Sequence, residues 1–110
     1  MSSGNGNMFS VYGRMTALPG RRDELIAVLL AGLRAGGDDS GLLHYSINTA
    51  FDDPDTIWLT QLWRDKDAHD VTTRSEPVAA VSRQVPPLLA RQPDGGYGNA
   101  VHVGGRITEE

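Results

Sequence analysis

Two runs of alternating character, joined by a short turn, occupy the middle of the chain. The runs are "GLLHYSINTAF" (Gly41 to Phe51) and "TIWLTQLW" (Thr56 to Trp63). The segment between them, "DDPD", consists of Asp and Pro, which favour turns. Together they predict a β-hairpin, and this hairpin limits the fold more than any other feature. It requires an antiparallel sheet in which alternate residues face opposite sides.

A strand and a helix precede the hairpin. The segment "MFSVYGRM" (Met8 to Met15) is rich in aromatic and aliphatic residues and predicts a strand, which "LPG" then ends. From Arg21 onward the apolar residues recur at helical spacing, and Gly36-Gly37 ends the run. These apolar residues are Leu25, Val28, Leu29 and Leu33.

After the hairpin the pattern is helical in two parts. Asp65 is suited to cap the first helix, and Ser75 with Pro77 to begin the second. Pro86-Pro87 then ends the regular helix. The Gly-rich segment "DGGYGN" predicts a loop, and "AVHVGG" (Ala100 to Gly105) predicts a last short strand.

The predicted order of elements is therefore β-α-β-β-α-β. This is an α+β fold of the ferredoxin-like split arrangement, in which both helices cover one face of an antiparallel sheet. The other face is left bare, and strand alternation places a tryptophan there among polar and apolar side chains. These residues are Trp58, Thr60, Leu62, His44, Ser46 and Asn48. Because such a face is too large to leave in water, we expect two chains to pair through it as a homodimer, a dimeric α/β barrel.

A length of 110 residues is that of one domain. We expect the domain to span residues 8–105, between a disordered N-terminal tail at 1–7 and a C-terminal tail at 106–110. Since "MSSGNGN" lacks the basic and apolar regions of a secretory signal, a cytoplasmic location is expected. The longest apolar run, "LIAVLLAGL", is far shorter than the roughly 20 residues that span a bilayer, so no membrane partner is expected.

Composition argues against several classes of function. With a net charge of −4 and a pI near 5.2, the chain lacks the basic surface that nucleic acid binding requires. It contains no cysteine, which excludes disulfides, thiolate metal sites and a Cys nucleophile. His44, His102 and the aspartates of the turn have no metal-ligand spacing, and no nucleotide-binding or hydrolase motif occurs. We therefore expect neither a metal nor an organic cofactor.

The helix-covered face of the hairpin carries the candidate functional residues. By alternation these are Leu43, Tyr45, Leu59, Gln61 and Trp63. His69 follows about one turn into the next helix, where its ring can point back toward Trp63. The structural alternative is that Trp63 is a core anchor and His69 a surface residue. Gln61 favours a cavity, because an amide on a covered face needs polar partners.

Three segments in this order resemble the antibiotic biosynthesis monooxygenase domain, the group of small quinol and anthrone monooxygenase-like proteins. They are "GRMTALPGRRDELIAVL", "GLLHYSI" and "TIWLTQLWRDKDAHDVTTRSEPV". The resemblance runs from about Phe9 to Val103, nearly the whole chain. Its most specific parts are Pro19-Gly20, Gly41, Tyr45, Trp63 and His69.

The resemblance implies a pocket between the sheet and the helices of each chain of a ferredoxin-like dimer. In several members of the family this site oxygenates polyketide-type aromatics with molecular oxygen as the co-substrate and without metal or flavin. A deprotonated electron-rich substrate itself passes an electron to oxygen, so the protein has to bind it, hold its enolate and exclude water. In this scheme His69 is the base, and Trp63 is a wall whose N–H binds a substrate oxygen. The remaining substrate-binding residues are Gln61, Tyr45, Leu59 and Leu43.

Two positions depart from the family pattern. Gln61 stands where members commonly have Glu, so hydrogen bonding remains there and acid-base chemistry is lost. Leu59 stands where anthrone oxygenases have Asn, which removes one donor to the substrate oxyanion. The first strand lacks the Asn of haem-degrading relatives, which argues against haem degradation.

Two alternative functions stay open: a cofactor-free isomerase, cyclase or decarboxylase with the same pocket, and a non-catalytic protein that binds a small molecule.

Overall fold

The computed structural model describes residues 8–106, and within them the elements follow the predicted order. The strands are β1 (Phe9–Thr16), β2 (Leu42–Thr49), β3 (Thr56–Trp63) and β4 (Asp94–Asn99), and the helices are α1 (Arg22–Gly36), α2 (Lys66–Arg74) and α3 (Glu76–Ser82). A 3₁₀ turn, Pro86–Leu88, follows α3. The tail expected at 1–7, and all but the first residue of the tail expected at 106–110, lie outside the described residues.

The strands of this part of the chain form one antiparallel sheet in the order β2-β3-β1-β4. β1 pairs with β3 from Phe9↔Trp63 to Thr16↔Thr56, and it pairs with β4 on its other side. The hairpin of β2 and β3 forms as predicted, and the helices lie on one face of the sheet. The α+β class and the ferredoxin-like arrangement are thus confirmed.

Local signals begin and end the helices where the sequence predicts. The carboxylate of Asp65 accepts the Ala68 N–H at 2.7 Å and caps α2. Pro77 lies in the first turn of α3, where its missing N–H costs nothing. α1 ends at Gly37, whose φ of 80° is a left-handed value that glycine adopts without strain. Among residues 8–106, no helix has the length and apolar character needed to cross a membrane.

Two apolar clusters hold the helices on the sheet, one at each end of β3. Leu25 of α1 and Ile57 of β3 are fully buried in the first cluster. Burial of each such side chain stabilises the fold by about 1.5–3 kcal/mol. Phe9, Trp63 and Ala68 form the second cluster, so the second tryptophan of the chain is a core residue as well as a candidate site residue.

The last strand is not where the sequence predicts it. β4 is the segment "DGGYGN", which predicted a loop, whereas residues 100–106 contain no strand and Val101 is 94% exposed. Close backbone approach is the reason, because a Cβ on Gly95 would lie 2.0 Å from the carbonyl oxygen of Tyr12 on β1. Only glycine fits this close to a neighbouring strand, and hydrophobic alternation does not reveal such a position.

A β-bulge changes which residue of β2 faces the helices. The register of β2 against β3 shifts between Leu42 and His44, and Leu42 becomes the partner of Trp63. The extra residue at a bulge interrupts the two-residue alternation of a strand. Leu43 is therefore 53% exposed and lies beside His44 on the open side of the sheet. Its predicted place on the helix-covered face is wrong, whereas that of Tyr45 is right.

The face opposite the helices is open, as predicted. Trp58 on β3 is 48% exposed, and the Arg14 guanidinium lies over its ring at 5.4 Å from the centroid. Tyr12, two residues before Arg14 on β1, is 49% exposed. His44, Thr60 and Leu62 share this face by the register of the sheet.

Candidate active site

A row of hydrogen-bonding side chains crosses β3 and β2 on the face that the helices cover. The indole N–H of Trp63 donates to Oε1 of Gln61, two residues earlier on β3, at 2.7 Å. Tyr45 lies directly opposite Gln61 on β2, and its hydroxyl is close enough to the Gln61 side chain for Gln61 to influence its pKa. Since Oε1 accepts from Trp63, the NH₂ group is the part of Gln61 that remains to interact with the Tyr45 hydroxyl. The Trp63 N–H, predicted to bind a substrate oxygen, is thus used to fix Gln61 instead.

The hydroxyl of Tyr45 ends this row as a hydrogen-bond donor. Burial raises the pKa of the Tyr45 hydroxyl above its ordinary value, and the hydrogen bond from Gln61 offsets part of the rise. The hydroxyl therefore keeps its proton at neutral pH. The O–H of the neutral hydroxyl can donate to another group.

A partly enclosed cavity of about 140 Å³ lies between this row and the three helices. Leu42, Tyr45, Gln61 and Trp63 line its sheet side. Its helix side is mainly apolar, and among residues 8–106 no Asp, Glu, Lys, Arg or His side chain lines it. The volume is close to the roughly 150 Å³ of an apolar cavity that holds benzene. The cavity therefore fits one apolar ring or a short aliphatic group.

His69 lies on the neighbouring side of the row, in a wider space. With Tyr45, Leu59 and Gln61 it lines an open cleft of about 510 Å³ over β1 and β4. Its ring meets Trp63 at a near-perpendicular angle with the centroids 5.4 Å apart, and its side chain is 13% exposed. His69 therefore points inward toward the sheet, as the pocket hypothesis requires.

Five of the six predicted site residues come together around two adjoining spaces. Tyr45 and Gln61 line both the cavity and the cleft, Trp63 lines the cavity, and Leu59 and His69 line the cleft. Leu43 is the exception, because the bulge in β2 turns it to the open face and Leu42 lines the cavity in its place.

The sequence interpretation missed two aromatic neighbours of His69. Phe9 lies 5.0 Å from the His69 ring, between centroids, and Tyr97 lies 5.8 Å from it while stacking on Phe9 at 5.4 Å. Tyr97 is 69% exposed and forms the outer wall of the cleft. Its only sequence signal was an aromatic residue between glycines, in the segment that predicted a loop.

Asp70, the residue after His69, was also missed. Its Oδ1 lies 3.0 Å from Nδ1 of His69, and its Oδ2 accepts from Nζ of Lys66 at 2.6 Å. The hydrogen bond from Lys66, and secondly that from His69, lower the pKa of Asp70 to about 2. The carboxylate is therefore ionised at neutral pH. In the described part of the chain, no three His, Cys, Asp or Glu side chains gather as a metal-binding group.

The family model described as antibiotic biosynthesis monooxygenase matches residues 8–84. The chain belongs to the antibiotic biosynthesis monooxygenase family. The match covers β1 to α3, so every predicted site residue lies within the part of the chain that matches the family model. Comparison with the curated proteins gives no match.

Solved structures are similar over most of their length. A protein classed as an antibiotic biosynthesis monooxygenase from Chloroflexus aurantiacus is 30% identical, with a TM-score of 0.76 over 89% of this chain and 97% of that one. A variant of SnoaB, described as a cofactor-independent oxygenase from Streptomyces nogalater, is 14% identical, with a TM-score of 0.77 over 88% and 96%. Rv0793 from Mycobacterium tuberculosis is 21% identical, with a TM-score of 0.77 over 89% and 99%. The last two likenesses concern the fold alone.

Proposed function

We propose that this family member is a cofactor-independent monooxygenase of a small electron-rich aromatic, of the quinol, anthrone or polyketide type, with molecular oxygen as the co-substrate. The observation that supports it most is the position of the Tyr45 hydroxyl, which lies with the hydrogen-bonded Gln61 between an apolar cavity and the cleft that contains His69. The description of SnoaB as a cofactor-independent oxygenase supports the same chemistry in this fold.

Deprotonation of the substrate is the first step of the proposed reaction. His69 takes the proton, and the negative charge spreads onto the substrate oxygen as an enolate or phenolate. The Tyr45 hydroxyl donates to that oxygen, with Gln61 behind it. Tyr45 thereby supplies a donor to the oxyanion in this chain, whose residue at position 59 is Leu.

Electron transfer to oxygen follows in the same site. The anion gives one electron to O₂, the substrate radical and superoxide combine in a C–O bond, and the resulting peroxide loses water to leave a carbonyl group. One oxygen atom enters the product and the other leaves as water, while a methylene carbon of the substrate supplies the four electrons. Leu59 and the ring of Trp63 exclude bulk water from the radical pair.

Oxygen uptake with anthrone as the probe tests the proposal. We expect one O₂ consumed for each anthraquinone formed, at a rate that added chelator does not change. Tyr45→Phe removes only the hydroxyl at the end of the row, so kcat should fall by about 10²-fold. Turnover of the probe without oxygen uptake would identify an isomerase, cyclase or decarboxylase instead. Binding without turnover would identify a non-catalytic binding protein.

The proposal includes a homodimer, in which two chains pair through the open face of the sheet. Trp58 and Tyr12 are half exposed there, Leu43 adds apolar surface, and the Arg14 and Asp94 side chains of this face form an ion pair. A face with exposed aromatic and aliphatic side chains, whose Arg14 and Asp94 are already paired, is suited to bury against a copy of itself. Light scattering at micromolar concentration should give twice the mass of the 11.9 kDa chain. A monomeric mass at that concentration would contradict the pairing.

A further inference from the structure

One ring nitrogen of His69 already has a partner. Nδ1 lies 3.0 Å from Oδ1 of Asp70, the next residue on α2. An ionised carboxylate can only accept hydrogen bonds, and the low pKa of Asp70 keeps it ionised at neutral pH. The single hydrogen of a neutral His69 ring is therefore placed on Nδ1.

Asp70 itself is held from its other side. Its Oδ2 accepts a hydrogen bond from Nζ of Lys66, one turn earlier on α2, at 2.6 Å. The Asp70 side chain is 21% exposed, so it is neither sealed in the core nor free in solvent. Both of its oxygens are engaged, and the orientation of the carboxylate is set by the helix that carries all three residues.

The second ring nitrogen of His69, Nε2, takes no part in the contact with Asp70. It has no hydrogen-bond partner among the described residues, where the His69 ring bonds through Nδ1 alone. In the same part of the chain no buried side-chain nitrogen or oxygen lacks a partner, so Nε2 is not sealed in the core. The rings of Phe9, Trp63 and Tyr97 surround the imidazole, which lines the cleft.

We infer that Asp70 is the positioning residue of His69: it accepts the Nδ1 hydrogen, fixes the tautomer whose Nε2 is bare, and aims that nitrogen into the cleft. The chemical consequence rests on the proposed function, since a bare Nε2 is the form that removes a proton from a substrate. Once Nε2 has taken the proton, the carboxylate also stabilises the imidazolium ring. Asp70 does all this without touching the substrate.

Nitrogen NMR of ¹⁵N-labelled protein, with no ligand added, reads the tautomer directly. The chain has three histidines, so His44→Gln and His102→Gln assign the signals by elimination. At a pH where the rings are neutral, we expect His69 as the Nδ1–H tautomer. Asp70→Ala should remove this preference and move the ring toward the Nε2–H form. A wild-type ring in the Nε2–H form, or an unchanged tautomer in Asp70→Ala, would overturn the inference.

Lys66→Gln is the matched control, because it removes a neighbouring charge and leaves the carboxylate in place. This variant should keep the wild-type tautomer. If it moved the ring as far as Asp70→Ala does, the charge pattern of α2 would set the tautomer rather than the Nδ1 hydrogen bond, and the inference would be wrong. The NMR measurement uses no substrate, so its result would hold even if the proposed oxygenase function proved wrong.

Discussion

His69→Gln is expected to lower kcat for the oxygenation of anthrone by about 10²- to 10⁴-fold, the usual contribution of a general base. Among the described residues that line the cleft, Asp94 is the only other charged one, and its carboxylate forms an ion pair with Arg14 of the open face, so no second base takes over. Initial rates of oxygen uptake at saturating anthrone measure the effect. His102→Gln is the control, because His102 is exposed and lines neither the cavity nor the cleft.

Chemical rescue distinguishes a missing base from a damaged site. His69→Ala leaves a gap beside Phe9, Trp63 and Tyr97 in an open cleft, and added imidazole is small enough to enter it. Part of the lost rate should return in proportion to the imidazole concentration, while His69→Gln should show no rescue. If His69→Gln kept wild-type kcat, His69 would be a structural residue and the base would be solvent or absent.

The alternation of β3 accounts for the part of the site that the sequence could predict. β3 is paired on both sides, with β1 and with β2, and its regular run from Thr56 to Trp63 contains no bulge. The period of two therefore assigns Gln61 and Trp63 to the covered face and Trp58 to the open one. A strand held from both sides cannot slip without moving its buried residues into water.

The errors arise where backbone geometry overrides side-chain pattern. The bulge at Leu43 depends on how β2 meets the end of β3, and a single sequence carries no periodic signal for it. β4 needs glycines to approach β1 closely, and it therefore has few of the apolar residues that predict a strand. Val101 and Val103 do fit a strand pattern, but they are exposed and pair with no strand. Both errors concern pairing between segments, which hydropathy does not encode.

Side-chain hydrogen bonds were the other unpredictable part of the site. Strand alternation predicted that Trp63 and Gln61 lie on the same face. Whether the indole N–H donates to Gln61 or to a ligand depends on the side-chain rotamers, which packing determines. The contact between His69 and Asp70 joins adjacent residues of one helix, and these usually point apart. The adjacent pair was visible in the sequence, and its geometry was not.

Truncation of the two tryptophans should destabilise the protein to very different extents. Trp63→Ala removes a ring that is 4% exposed and packs with Phe9 and Ala68, and it should cost about 3–5 kcal/mol of unfolding free energy. Trp58→Ala removes a ring that is 48% exposed, together with its cation–π contact with Arg14, which is worth about 0.5–1 kcal/mol. Each kcal/mol moves the Tm of a domain of this size by roughly 4–8 °C.

Thermal unfolding at several protein concentrations separates the two roles. The loss in Trp63→Ala belongs to the fold of each chain, so its size should not depend on concentration. Trp58→Ala should weaken pairing. Because a higher protein concentration stabilises the wild-type dimer by mass action, the difference in Tm between wild type and Trp58→Ala should grow with concentration.

Trp63→Phe keeps most of the ring but leaves Oε1 of Gln61 without its donor, which should cost about 1–3 kcal/mol of unfolding free energy. A small loss in Trp63→Ala would mean that the cavity beside Gln61 collapses, and the site as described would not exist in solution.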